Sequence, residues 1–312
     1  MARRDMTAVI YLTNFWDWSG GMMASLSWVN GGRGMVMNDP VHPWPEFPDF
    51  VSDFYGSAPA VAAWHGYVRT LIGRTNALTG VAYRDDPTIL SWQLANEPRP
   101  GGSDAVAARA LPAFLRWIET TAALIKTLDP NHLVSTGSEG LMGCVGRDDC
   151  VTGAHAPPAV DYLTIHIWPH NWSWTDHTDL AGTFEAGWTR CVDYIDRHLG
   201  FARTLGKPMV IEEFGFPRDG PTYGPGSPTV FRDRFFERMF AAVVAEPAIA
   251  GSNVWSWVGE TDATWSRTLF RPRETARDDA GHHEPAGWYD VWADDASTRA
   301  VMTKAARALA DA

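Results

Sequence analysis

Two short motifs carry the residue types needed for acid/base and nucleophilic chemistry: LANEPRP at 94–100 and VIEEFG at 210–215. Each closes an apolar run of strand character. In the first, Pro98 disfavours the helical region for Glu97, which predicts an extended backbone presenting the carboxylate at the strand tip. Asn96 beside it offers a substrate hydroxyl both a donor and an acceptor. In the second, side chains alternate, so Glu212 and Glu213 are expected to face opposite ways, with only one looking into a site at the strand end. Alternation does not say which. Two carboxylates at the C-terminal ends of separate strands suit cleavage of a glycosidic bond, one donating a proton and the other attacking the anomeric carbon. A gap of about 5 to 5.5 Å between them would give retention of configuration.

The elements that must position these groups form a repeating pattern. Six β-rich runs, at 7–14, 88–96, 132–137, 162–168, 208–214 and 251–258, alternate with helical stretches near 59–78, 112–128, 183–205, 228–245 and 296–310. That alternation predicts an α/β fold of the (β/α)8 TIM-barrel type with about six β/α units visible, in a single catalytic domain spanning 1–312. The longest irregular stretches, 15–56 and 259–287, follow strand C-terminal ends, where such a barrel carries its active site.

Composition narrows the partners. The net charge of −11 opposes binding to nucleic acid or anionic membrane surfaces. No run is long and apolar enough for a membrane span, and the N-terminus lacks a secretion-signal pattern. Sixteen tryptophans are present, several in polar surroundings. Flat amphipathic rings suit sugars, which offer C–H faces to stack and hydroxyls to bond, although a tryptophan can equally fill a core. Cys144 and Cys150 have a spacing that permits a disulfide without requiring one.

The pair NEP and EEFG resembles glycoside hydrolase family 5. Longer stretches, YLTNFWDWSGG, YRDDPTILSWQLANEPR, DYLTIHIWPHNW, KPMVIEEFG, GSNVWSWVGE and HEPAGWYDVWADDAST, resemble its endo-β-1,4-mannanase branch over nearly the whole chain. The resemblance implies a retaining endo-mannanase with Glu97 as acid/base, Glu213 as nucleophile and Glu212 as its outward neighbour. It implies that Asn96 binds the 2-hydroxyl of the cleaved sugar, that His166 bonds near the catalytic pair, and that Trp255 floors the subsite, with Trp257 two residues on sharing its face. Asn14, Trp16 and Trp18 would line outer subsites. Trp172 and Trp174 would do the same or pack a loop. No cofactor and no metal is implied, although His282, His283 and Glu284 have metal-binding residue types. The location expected from the resemblance is extracellular.

Two departures from the family stand out. Where many relatives place a tyrosine two residues after the histidine, this chain has Trp168, whose indole cannot accept a hydrogen bond. The opening ARRDM, running into a strand that ends in NFW, resembles the family's second helix and third strand. It implies an N-terminally truncated barrel without its first two strands and without the arginine that usually bonds the nucleophile, a loss expected to raise the pKa of Glu213. An open barrel with exposed edges would invite a homodimer. Alternatives to a mannanase are another β-1,4-glycanase specificity on the same scaffold, for glucan or glucomannan, or a weakly active or inactive glycan-binding fragment.

Overall fold

Ala8–Tyr11 form β1, Ile89–Gln93 β2 and Leu133–Ser135 β3, three short parallel strands in the order β1-β2-β3. Val9 pairs with Ser91, and Trp92 with Val134. The computed structural model describes residues 1–224, 226–259 and 287–310. These fall into two compact units, one of Met1–Ile165 with Phe201–Pro208, the other of His166–Gly200 with Met209–Ala312.

In the first unit the segment expected to be irregular, 15–56, contains three short helices: α1 (Gly21–Ser27), α2 (Glu46–Val51) and α3 (Asp53–Gly56). Asp49 ties this segment down by accepting from Gly102 N at 2.8 Å and Ser103 N at 2.9 Å. Helix α4 (Ala58–Ile72) is capped by the Ser57 side chain and buries Ala60, Trp64, Val68 and Ile72, an i, i+4 stripe facing the core. It ends six residues before the predicted stop. Asn76 accepts from Leu78 N and Thr79 N, and an antiparallel bridge joins Thr75 to Ala82, so a local turn takes this part of the chain out of the helix.

Helix α5 (Asp104–Leu128) begins eight residues earlier than the sequence pattern predicts and carries Pro112 in its interior. Ser103 caps its start, and buried Ala107, Leu111, Phe114 and Trp117 extend the core stripe through the proline. Burial of that stripe outweighs the lost backbone bond. The Cys144–Cys150 disulfide ties helix α6 (Asp148–His155), which contains Cys150, to the loop before it.

The second unit holds the parallel pair β5 (Met209–Phe214) and β6 (Ile249–Val254), together with the last two residues of β4 (Leu163–Ile167). Strand β4 carries the chain across the boundary between the units. Helices α7 (Leu180–Leu205) and α8 (Val230–Ala245) connect the strands. A parallel pair β7 (Trp257–Gly259) and β8 (Val291–Trp292) precedes α9 (Ala296–Ala310). Arg218 and Arg232, both fully buried, converge on Asp295 Oδ2 at 2.5 and 2.9 Å, and the Arg218 guanidinium lies 4.2 Å from the Trp292 ring centroid. These contacts pin the β8–α9 segment to the start of α8. Among the described residues no helix is long and apolar enough to cross a membrane.

Candidate active site

In the first unit the predicted residues gather at the ends of β1 and β2. Past these strands the backbones stay paired: Asn96 N donates to Thr13 O at 2.8 Å, and Phe15 N to Asn96 O at 2.9 Å. Asn14 Oδ1 accepts from Trp16 N at 3.1 Å and from Asn96 Nδ2 at 3.4 Å. Both asparagines are buried and held in place.

Glu97 is not extended as its Pro98 neighbour predicts; its φ is 52°. The proline excludes only the right-handed helical region, and the residue enters the left-handed one instead, at a cost of about 1–2 kcal/mol. Two hydrogen bonds hold it there. Its N–H donates to Gly137 O at 2.9 Å, and its Oε2 accepts from the indole Nε1 of Trp16 at 2.5 Å. Gly137, itself at φ 77°, admits no larger residue, because a Cβ would lie 1.8 Å from Ala95 O.

Trp16, expected at an outer subsite, is instead only 5 % exposed and sits directly on Glu97. Its ring makes stacked contacts with Trp18 and Phe47, each at 6.0 Å and 15°. The Arg99 guanidinium lies 5.0 Å from the Trp16 ring and 5.5 Å from that of Trp44. Glu139 holds Arg99 through a bidentate pair at 2.6 and 2.7 Å. Arg99, Trp44, Phe47 and Glu139 were missed in the sequence. The only local signal was an arginine two residues after the glutamate.

In the second unit His166, fully buried on β4, faces both glutamates of β5. Its Nδ1 is 3.1 Å from Glu213 Oε2, and its Nε2 is 3.6 Å from Glu212 Oε2. The strict alternation expected of EEFG therefore fails. The pairing of β5 with β6 shifts register between Ile211 and Phe214, and such an irregularity re-aims side chains. Glu212 is not an outward neighbour but a carboxyl 7 % exposed, and neither of its oxygens accepts a hydrogen bond. Burial pushes its pKa above the ordinary carboxylate value, with His166 pulling the other way.

Beyond the glutamates, Trp168 meets Trp255 edge-on at 6.1 Å and Tyr289 at 5.0 Å. A Cβ on Gly215 would come within 2.5 Å of Trp168 Cζ3, which explains the glycine that closes EEFG. Where the family pattern has a tyrosine two residues after the histidine, Tyr289 lies against Trp168 from a distant segment and donates its hydroxyl to Asn171. Trp257 does not share a strand face with Trp255, because β6 ends at Val254 and β7 starts at Trp257. Trp257 stands 54 % exposed. Trp172 and Trp174 pack on each other and on Tyr194 of α7, which is the loop-packing alternative. His282, His283 and Glu284 lie outside the described residues.

The crystal structure of a glycoside hydrolase family 5 mannosidase from Rhizomucor miehei matches with a TM-score of 0.84 at 30 % identity, covering 99 % of this chain and 73 % of that one. The fold is accordingly of the (β/α)8 barrel type that the strand–helix alternation predicts. A family model described as glycoside hydrolase family 5 β-mannosidase-like matches residues 1–312, and the chain belongs to that family. Mannan endo-1,4-β-mannosidase 4 of Oryza sativa subsp. japonica is 28 % identical over 278 residues, 83 % of this chain and 54 % of its own length. Mannan endo-1,4-β-mannosidase 4 of Solanum lycopersicum is 30 % identical over 246 residues, 75 % of this chain and 54 % of its own. The chain spans about half the length of these two curated relatives.

Proposed function

We propose that this chain is a retaining endo-β-1,4-mannanase, with Glu213 as nucleophile and Glu97 as acid/base. The observation that carries the reading is that each glutamate sits at a strand end with a ring nitrogen beside its carboxylate, Trp16 Nε1 for Glu97 and His166 Nδ1 for Glu213. The names of the plant relatives supply the substrate class.

On this reading Glu213 attacks the anomeric carbon while Glu97 protonates the departing glycosidic oxygen. Glu97 then removes a proton from water, which releases the sugar from its ester with Glu213. The Trp16 N–H orients the carboxyl group that must change roles. Asn96, itself oriented by Asn14, bonds the 2-hydroxyl, a contact that strengthens as the ring becomes oxocarbenium-like. The rings of Trp18, Trp168, Trp255 and Trp257 serve sugar subsites on this reading, Trp257 being the exposed one of the four.

The test is release of reducing ends from linear β-1,4-mannan, with Glu213→Gln as the blank. Turnover that vanishes in the variant supports the reading; equal turnover in both overturns it. A second reading, removal of terminal mannose, is favoured by the β-mannosidase-like family model and by the Rhizomucor miehei mannosidase, a variant of which was solved with mannosyl-fructose bound. Product chain lengths separate the two. Early oligosaccharides mean endo cleavage, and mannose alone means exo cleavage.

A further inference from the structure

The buried Glu212 is a group for which the mechanism above has no use. A carboxyl removed from water without a hydrogen-bond donor is costly, and an apolar residue could fill the same space without that cost. Within the second unit its one described polar neighbour is the Nε2 edge of His166, at 3.6 Å. The opposite edge of the same ring, Nδ1, lies 3.1 Å from Glu213.

We infer that Glu212 is a positioning residue which, as a neutral carboxylic acid, donates its proton to His166 Nε2 and so holds the imidazole in the tautomer whose Nδ1–H points at Glu213. The reasoning follows from counting protons. A neutral imidazole carries one N–H. An ionised Glu213 at 3.1 Å from Nδ1 can be accommodated only if that proton is on Nδ1, because two lone pairs would otherwise face each other. Nε2 is then an acceptor, and its facing partner must be a donor. Glu212 can supply that donor only in its protonated form.

The rival arrangement places the same proton on the ring, giving an imidazolium between two carboxylates. The net charge is equal, but it requires three charges instead of one in a space from which water is largely excluded. Burial opposes ionisation of Glu212, the direction expected of a group kept neutral. The 3.6 Å spacing is slightly longer than a formed hydrogen bond, and a small rotation of the Glu212 carboxyl closes it.

For the reaction, a neutral histidine donating one hydrogen bond leaves Glu213 ionised and oriented while withholding a full positive charge that would blunt its attack. The inference rests on the proposed role of Glu213 for its effect on turnover. The tautomer of His166 can be read without any activity.

The experiment is nitrogen-15 NMR of the full chain labelled at histidine. The chain has ten histidines, so His166→Gln identifies the resonances. The expected wild-type pattern is a protonated Nδ1 and an unprotonated Nε2. Glu212→Gln retains a donor and should preserve this pattern, with kcat on mannan within about threefold of wild type, whereas Glu212→Leu should lose it and lower kcat by about 10²-fold with KM little changed. A thermal transition establishes that each variant folds; should Glu212→Leu not fold, the wild-type and Glu212→Gln spectra still decide. A wild-type imidazolium, a proton on Nε2, or an unchanged pattern in folded Glu212→Leu would overturn the inference. Absence of mannan turnover together with the expected tautomer would instead fault the functional reading alone.

Discussion

The indole N–H of Trp16 donates to the carboxylate of Glu97 across 81 positions of sequence. The ring that makes this bond stacks with both Trp18 and Phe47. Arg99, clamped by Glu139, stands over the same ring. The glutamate at the end of β2 is thus oriented by a residue with little freedom of its own.

Trp16→Phe preserves the stack and removes only the donor. A hydrogen bond to a charged group contributes about 1.5–3 kcal/mol, so kcat/KM on mannan should fall by about one to two orders of magnitude. The melting temperature should move much less than it does in Trp16→Ala. Equal kcat/KM in the wild type and the phenylalanine variant would remove Trp16 from the account.

Gly215→Ala tests the close approach of the backbone to Trp168. A methyl group meeting the indole at 2.5 Å must displace it or the strand. The expected cost is about 1–3 kcal/mol of stability, the range for overpacking a core. Activity should fall further than that destabilisation explains, because the displaced ring is the one facing Trp255 and Tyr289. Chemical denaturation alongside kinetics checks both.

His155 predicts an acid-sensitive fold. It is fully buried, shares a hydrogen bond with Thr136 at Nε2 and meets Val151 O at Nδ1, and burial depresses its pKa to about 4. Unfolded, the ring titrates near 6.5. Between these values the unfolded chain binds the extra proton, so stability falls as pH drops from about 6.5 towards 4, by up to about 3 kcal/mol. Denaturation midpoints across this range should show that slope, and His155→Gln should flatten it. An identical slope in the variant would place the acid sensitivity elsewhere.

Asp295 is the shared acceptor of two buried arginines. Asp295→Ala leaves both cations without their carboxylate, and breaking a buried pair in this way costs about 3–5 kcal/mol. Calorimetry of the variant should show a large fall in melting temperature. A shift of only a degree or two would mean that backbone acceptors such as Asp290 O and Gly287 O satisfy the arginines unaided.

Much of this was legible in the sequence because it depends on local patterns. The runs at 88–96 and 208–214, which hold β2 (Ile89–Gln93) and β5 (Met209–Phe214), and the helical stretch from 59 follow from turn chemistry and periodicity. What escaped depends on residues brought together by the fold. Pro98 restricts Glu97 but cannot reveal that Gly137, forty residues later, holds it at positive φ. The Glu-Glu pair reads as alternating because a register shift against β6 leaves no mark in β5 itself. Helix α5 starts eight residues before the predicted stretch and runs through Pro112, because the long apolar stripe that carries it draws on tertiary burial. Tyr289 could not be assigned to Trp168 at all, since 121 residues separate them.

The central claim is that Glu213 attacks sugar. Incubation with a 2-deoxy-2-fluoro-β-mannosyl fluoride, which forms the glycosyl ester readily and hydrolyses it slowly, followed by peptide mass mapping, tests it most directly. The account predicts one added fluoromannosyl group, on the peptide containing Glu213 and at that residue, and none in Glu213→Gln. An adduct on Glu212 or on any other carboxylate, or an active enzyme that never accumulates one, would contradict it.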